Sequence, residues 1–283
     1  MKNPLPLLLA LASTALANDT ALHDGRFGPE PLDATNGAES AVRMEREHLE
    51  ISFGAQFTEV HCTFAFRNTR PDGAIEHLVG FPDIGAACDE MKRREPTHAD
   101  TLNERVNTSR LTNVRTFVNG RKADTELLFG DVKPGGDTDG TTVWSFDDQS
   151  GVRAWHVVRV TFPAQKEVTV ERRYRVQNGT SALGVAFFDY TTATGGVWQG
   201  SIGRLQADIT LRDGLKVGGL VWPGAKMAGG RLVGDEEKFA THPARDAWQV
   251  LDETHVRLVW NDFEPRTQKD RRGFSLSRPF HGW

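Results

Sequence analysis

Apolar and polar residues alternate with a period of two through much of the chain. In FTEVHCTFAFRN (57–68), Val60, Cys62, Phe64 and Phe66 fall on one face with Thr58 at its rim, while Glu59, His61, Thr63 and Arg67 fall on the other. In KEVTVERRYRV (166–176), Val168, Val170, Tyr174 and Val176 oppose Glu167, Thr169, Glu171, Arg173 and Arg175. In SIGRLQADITLRDG (201–214), Leu205, Ala207, Ile209 and Leu211 oppose Arg204, Gln206, Asp208 and Arg212. Side chains of a strand point alternately to its two faces, so this pattern predicts antiparallel strands with one face buried and one in water.

Further strands are expected at 48–53, 76–82, 114–122, 125–130, 142–146, 152–163, 184–190, 218–223 and 254–263. Asn119-Gly120, Asn178-Gly179, Asp213-Gly214 and Pro223-Gly224 separate them. Asn-Gly and Asp-Gly suit the positive-φ positions of tight hairpin turns. No long helical period interrupts the series. The fold class that follows is all-β: an antiparallel β-sandwich, either one large or two consecutive sandwiches. A β-sandwich domain over 43–177 and a second β-rich half over 178–283 are the expected division. Residues 85–112 are polar, poor in β-formers and interrupted by Pro96, which predicts an inserted loop or short helix. Residues 131–140 read as a turn-rich loop, and residues 18–42 as an irregular N-terminal arm.

The first seventeen residues change the picture of where this fold resides. Lys2, the Leu-rich run from Leu5 to Leu11 and Ala15-Leu16-Ala17 have the three parts of a secretory signal peptide. The apolar run is too short for a membrane span of roughly 20 residues. An exported product in the periplasm or outside the cell is expected. A membrane barrel is disfavoured because the positions stepping back by twos from Trp283 (His281, Pro279, Ser277 and Ser275) form no lipid-facing row. The 34 Lys and Arg against 38 Asp and Glu give a formal net charge of −4, one unit more negative once Lys2 is removed. That balance argues against a nucleic-acid partner, which leaves a basic footprint. Export also puts the two cysteines, Cys62 and Cys88, in an oxidising compartment where a disulfide between them is expected.

Motifs for chemistry are sparse. In FFDYTTATGGVWQGSIG (187–203), Gly195 and Gly200 lack the Lys-Ser/Thr that a phosphate-binding loop requires, and strand alternation follows where a dinucleotide fold needs a helix. The segment reads as a hairpin turning at Gly195-Gly196, with Trp198 in the core. The alternative is a surface platform on which Tyr190 and Trp198 stack against a sugar or peptide. The acidic run DTDGTTVWSFDD (137–148) has its glycine at the wrong position for an EF-hand. The nine histidines are scattered, so neither a metal nor a cofactor is expected. His156 shares an apolar row and reads as a hydrogen-bonded core residue. Asp262 and Glu264, two apart on a strand, would share a face at about 6–7 Å, within reach of glycosidase chemistry. They are the candidate catalytic pair.

An ordered set of segments carries a resemblance. ANDT (17–20) at the leader junction is followed by MEREHLEISF, VHCTFAFRN, TFVNG, WHVVRVTFPAQKEVTVERRYRV, YTTATGGVWQGSI and LVWNDFEP. Together they resemble a family of exported bacterial proteins catalogued as a domain of unknown function. That family shares a Tyr/Gly/Trp-x-Gly-x-Ile segment, here Tyr190, Trp198, Gly200 and Ile202, and a C-terminal Trp…Glu-Pro segment, here Trp260, Glu264 and Pro265. The resemblance spans nearly all of the chain beyond the leader. It implies a β-rich fold and a place outside the cytoplasm, and it supplies no activity and no catalytic residues. The functional expectation is a non-catalytic periplasmic or secreted β-sandwich that binds a protein or an envelope polysaccharide. The alternative is an extracellular glycan hydrolase using Asp262 and Glu264.

Overall fold

The computed structural model describes residues 20–25, 28–31, 41–83, 111–131, 152–180, 185–220, 225–228, 231–234, 248–265 and 273–279. Eighteen strands fall among them. The largest sheet has eight strands, in spatial order β16 (Trp248–Val250), β17 (His255–Phe263), β13 (Ile202–Leu211), β3 (Val42–Phe53), β4 (Phe57–Asn68), β10 (Glu167–Gln177), β6 (Leu111–Val118) and β7 (Arg121–Ala123). A five-stranded sheet runs β2 (Gly28–Pro31), β1 (Thr20–Gly25), β5 (Ile75–Asp83), β9 (Val152–Phe162) and β8 (Glu126–Asp131). A three-stranded sheet joins β11 (Gly179–Thr180), β12 (Val185–Thr191) and β18 (Gly273–Pro279), and β14 (Ala225–Ala228) pairs with β15 (Arg231–Gly234). The fold is all-β and sandwich-like. Neighbouring strands pair antiparallel except β13 and β3, which run parallel at the middle of the large sheet.

The inner face of the large sheet is built from the apolar sets of the alternating strands. Leu49, Ile51 and Phe53 of β3, Val60, Phe64 and Phe66 of β4, Val168, Val170 and Val176 of β10, and Leu205, Ala207 and Ile209 of β13 belong to one buried cluster. The five-stranded sheet closes on one half of that face. Phe162 of β9 meets Phe66 edge-on at 5.8 Å, and Phe81 of β5 lies 5.1 Å from Tyr174 of β10. The three-stranded sheet covers the other half, where Phe274 of β18 packs 6.5 Å from Trp260 of β17. Strands from both sides of residue 178 therefore share one sheet and one core. The Asn178-Gly179 position marks no break in that sheet.

Several local expectations are corrected. The N-terminal arm is not irregular where it is described: β1 and β2 form a hairpin, and β1 pairs with β5. Asn178-Gly179 is not a positive-φ turn. Asn178 is buried, accepts a hydrogen bond from the Thr58 hydroxyl at 2.6 Å and donates to the Gly54 carbonyl at 2.9 Å. Gly179 is glycine because an added Cβ would lie 2.5 Å from the Phe187 ring. The run 218–223, expected as a strand, begins instead with a 3-10 turn over Val217–Gly219. Asn119-Gly120 does turn the β6–β7 hairpin, with φ of 49° and 74°. The leader (1–17), the 85–110 part of the polar insertion, residues 132–140 and the strand expected at 142–146 lie outside the described residues. Among the described residues, no helix is long and apolar enough to cross a membrane.

Candidate functional site

The segment 187–203 does not form a hairpin. After β12 the chain makes a 3-10 turn over Ala193–Val197 and enters β13 in the eight-stranded sheet, so its two strands belong to different sheets. Gly195 and Gly196 lie inside that turn, which carries the chain from one layer of the sandwich to the other. Tyr190 and Trp198 are each 1% exposed and cannot present a stacking surface to a ligand in solvent. Trp198 packs 4.5 Å from Phe66, as the core reading expected. The Tyr190 hydroxyl donates a hydrogen bond to the buried carboxylate of Glu47. Burial and the neighbouring Glu47 charge push the Tyr190 phenol well above its ordinary range.

Glu47 faces inward because β3 carries a bulge. Met44 pairs with Phe66 and Arg46 with Ala65, which leaves Glu45 unpaired and shifts the alternation by one. Met44 and Glu47 both point into the core as a result. Arg172 of β10 is likewise fully buried, in the row read as apolar. It donates to the Thr116 hydroxyl at 2.6 Å and to the Val79 carbonyl at 3.0 Å, tying the two large sheets together.

Asp262 departs from the strand alternation on which its expected pairing with Glu264 rests. Asp262 has φ of 45°, so the strand alternation breaks and both Asn261 and Asp262 face solvent. The Asp262 side chain is 77% exposed, with Arg43 at 3.8 Å. Neither acid lines the groove described below. Cys62 is fully buried beside the Tyr174 hydroxyl, and Cys88 lies outside the described residues, so no disulfide is formed within them. His156 meets Asp83 at 3.1 Å, as a partnered and mostly buried histidine.

Chemistry gathers on the outer face of the eight-stranded sheet. Strand register aligns Arg257, Asp208, Glu50, His61, Arg173 and Arg115 in one row across β17, β13, β3, β4, β10 and β6. On the acidic side, Asp208 accepts from Arg257 Nε at 2.5 Å and from Gln206 at 2.7 Å, and His48 lies 2.8 Å away. Burial pushes the Asp208 carboxyl up, but the bonds from Gln206, His48 and Arg257 together outweigh it and hold the carboxyl below its ordinary value. His61 sits between two acids, Nδ1 at 2.7 Å from Glu50 and Nε2 at 3.2 Å from Glu171.

On the basic side, β6 and β10 separate locally. Arg173 pairs with Arg115 but Arg175 pairs with Thr112, so Asn113 and Val114 together oppose Tyr174 in a bulge. Asn113 takes the left-handed φ of 57° that this geometry needs, a conformation Asn tolerates better than most residues. A shallow groove of about 390 Å³ opens here, with Arg115, Arg173, Arg175 and Asn113 along one wall and Glu50, Glu59 and His61 along the other. The Arg175 guanidinium lies 3.9 Å over the Phe57 ring and that of Arg173 lies 4.8 Å over Phe117. Such stacking holds a planar guanidinium in one orientation. The outward placement of Arg173 and Arg175 was legible in the alternation of β10. Arg115 was not, because only the pairing of β6 with β10 brings it beside them. Among the described residues, no group of three or more His, Cys, Asp or Glu side chains is placed to hold a metal ion.

No family model matches the sequence, and no curated protein does. Similarity is confined to solved structures. A candidate nutrient binding protein from Legionella pneumophila is 16% identical, with a TM-score of 0.53 over 84% of this chain and 67% of that one. That likeness shows the fold. An M1 zinc metallopeptidase from Deinococcus radiodurans aligns at 6% identity and a TM-score of 0.32. The alignment spans 84% of this chain but 42% of the peptidase, and it carries no argument.

Proposed function

We propose that this chain is an exported, non-catalytic β-sandwich that binds a protein or an envelope polysaccharide across the outer face of its eight-stranded sheet. The observation that carries the reading is the groove at the β6–β10 bulge. It is a concave, charged site on rigid strands, lined by oriented guanidiniums and acids, and the aromatic residues that could have formed a platform elsewhere are spent in the core. The description of the Legionella pneumophila neighbour as a candidate nutrient binding protein is compatible with a binding role. The leader-like residues 1–17 support a place outside the cytoplasm.

The test is a binding titration of the mature chain against purified envelope polysaccharide fractions and envelope proteins. Binding is expected to weaken at least about tenfold in Arg173→Glu and to be unchanged in Asp262→Asn. Release of new reducing ends from a glycan, abolished by Asp262→Asn or Glu264→Gln, would overturn the non-catalytic reading in favour of a hydrolase.

A further inference from the structure

We infer that the basic wall of this groove is an oxyanion site: Arg115, Arg173 and Arg175 receive a carboxylate or phosphate group of the bound ligand. The inference rests on the proposed binding role of the groove and adds to it the chemistry of what is bound.

Three guanidiniums on two adjacent strands face one concavity, yet like charges side by side repel and are not assembled for stability. Their protein partners do not account for them. The Arg115 side chain makes no hydrogen bond or ion pair among the described residues. Arg173 reaches a single acid, Glu171, at 3.3 Å, and Glu171 also serves His61. Arg175 Nε is buried without a hydrogen-bond partner. Nε itself has no exposed surface, so an acceptor supplied from outside would meet the terminal nitrogens of the Arg175 guanidinium, which lines the groove. A planar oxyanion or a tetrahedral phosphate offers that acceptor, and guanidinium forks bind both bidentately.

Strand order sets Glu50 and Glu59 to one side of the groove, although Glu59 stands directly opposite Arg175 and Glu171 lies on β10 itself. Glu50 and Glu59 lie on β3 and β4, and the arginines lie on β10 and β6. Glu50 is engaged by His61 at 2.7 Å. The groove is therefore dipolar across the strands, and an anionic group has one favoured end. The bulge supplies the reason that this end is open. Two residues of β6 against one of β10 turn Thr112 and Asn113 outward in succession and part the strands beneath the guanidiniums.

The experiment follows backbone amide shifts of the mature chain on titration with inorganic phosphate, galacturonate and, as the neutral control, galactose. Either anion is expected to shift amides around 113–115 and 173–175, and galactose is not. The arm that saturates at lower concentration distinguishes a phosphate source from a carboxylate source. Arg115→Gln with Arg173→Gln is expected to weaken the anion response at least about tenfold. Both side chains are exposed, so thermal unfolding of the double variant should match the parent and show that the loss is local. Galactose shifting the same amides as strongly as the anions would overturn the oxyanion inference and leave the binding role standing. No anion response, or one unaltered in the double variant, also overturns the inference. Loss of the envelope titration described above is what removes the binding role itself.

Discussion

Trp198 sits where the two layers of the sandwich meet, 4.5 Å from Phe66 of the large sheet and 6.2 Å from Phe162 of the five-stranded one. Truncating a buried aromatic leaves a cavity that close-packed neighbours fill only in part. Trp198→Ala is expected to lower stability by about 3–5 kcal/mol, read as a fall in the urea midpoint. An unchanged midpoint would place Trp198 outside the core. The His77 ring lies 6.2 Å from Trp198, and burial, with the charge of Arg70 adding to it, lowers its pKa from 6.5. The fold thus prefers the neutral imidazole. Its contribution is fully present above the unfolded value of 6.5 and is lost as pH falls through the lower folded value. Urea midpoints measured from about pH 8 to about pH 5 should decline on the acid side, and His77→Gln should flatten that decline. Asp208, whose carboxyl is held below its ordinary value, contributes a separate loss at still lower pH.

At the scale of elements, two bulges decide which side chains face where. The bulge at Glu45 turns Glu47 into the core, and Gly203 of the parallel neighbour β13 fits against it, since a Cβ there would lie 2.6 Å from the Glu45 carbonyl oxygen. Gly203→Ala must therefore shift backbone and should cost about 1–3 kcal/mol, measured by thermal or urea unfolding. The bulge between β6 and β10 depends on the left-handed Asn113. Asn113→Val, β-branched and disfavoured at positive φ, should cost about 1–2 kcal/mol, while Asn113→Gly should be tolerated. If Val is accepted without loss, the bulge is not held by this residue. The alternation of β4, β10 and β13 was readable because each has one face in water. The bulges were not readable, because one extra residue in a charged run such as MEREH has no marker until its partner strand is known.

For the whole molecule, the eight-stranded sheet is the consequential fact. β13 and β17, from the C-terminal half, pair alongside β3, from the N-terminal half, and the three share one core. Unfolding is expected to be a single cooperative transition, with tryptophan fluorescence and far-ultraviolet circular dichroism coincident. A chain truncated after Gln177 should fail to fold, because β3 would lose its parallel neighbour and expose a long central edge. Two separated transitions, or a stable fragment, would show that the halves are independent domains.

Local periodicity alone determined the β class, most strands, the inward rows and the outward placement of Arg173 and Arg175. A strand's two faces are written in its own sequence whenever one of them meets water. Only the tertiary structure decided that one sheet spans both halves, that 187–203 links two layers instead of turning a hairpin, and that Asp262 breaks the alternation of its strand. It alone brought Arg115 of β6 beside the arginines of β10. These are matters of pairing between distant segments, and pairing is set by how the whole core closes, which no single stretch of the chain contains.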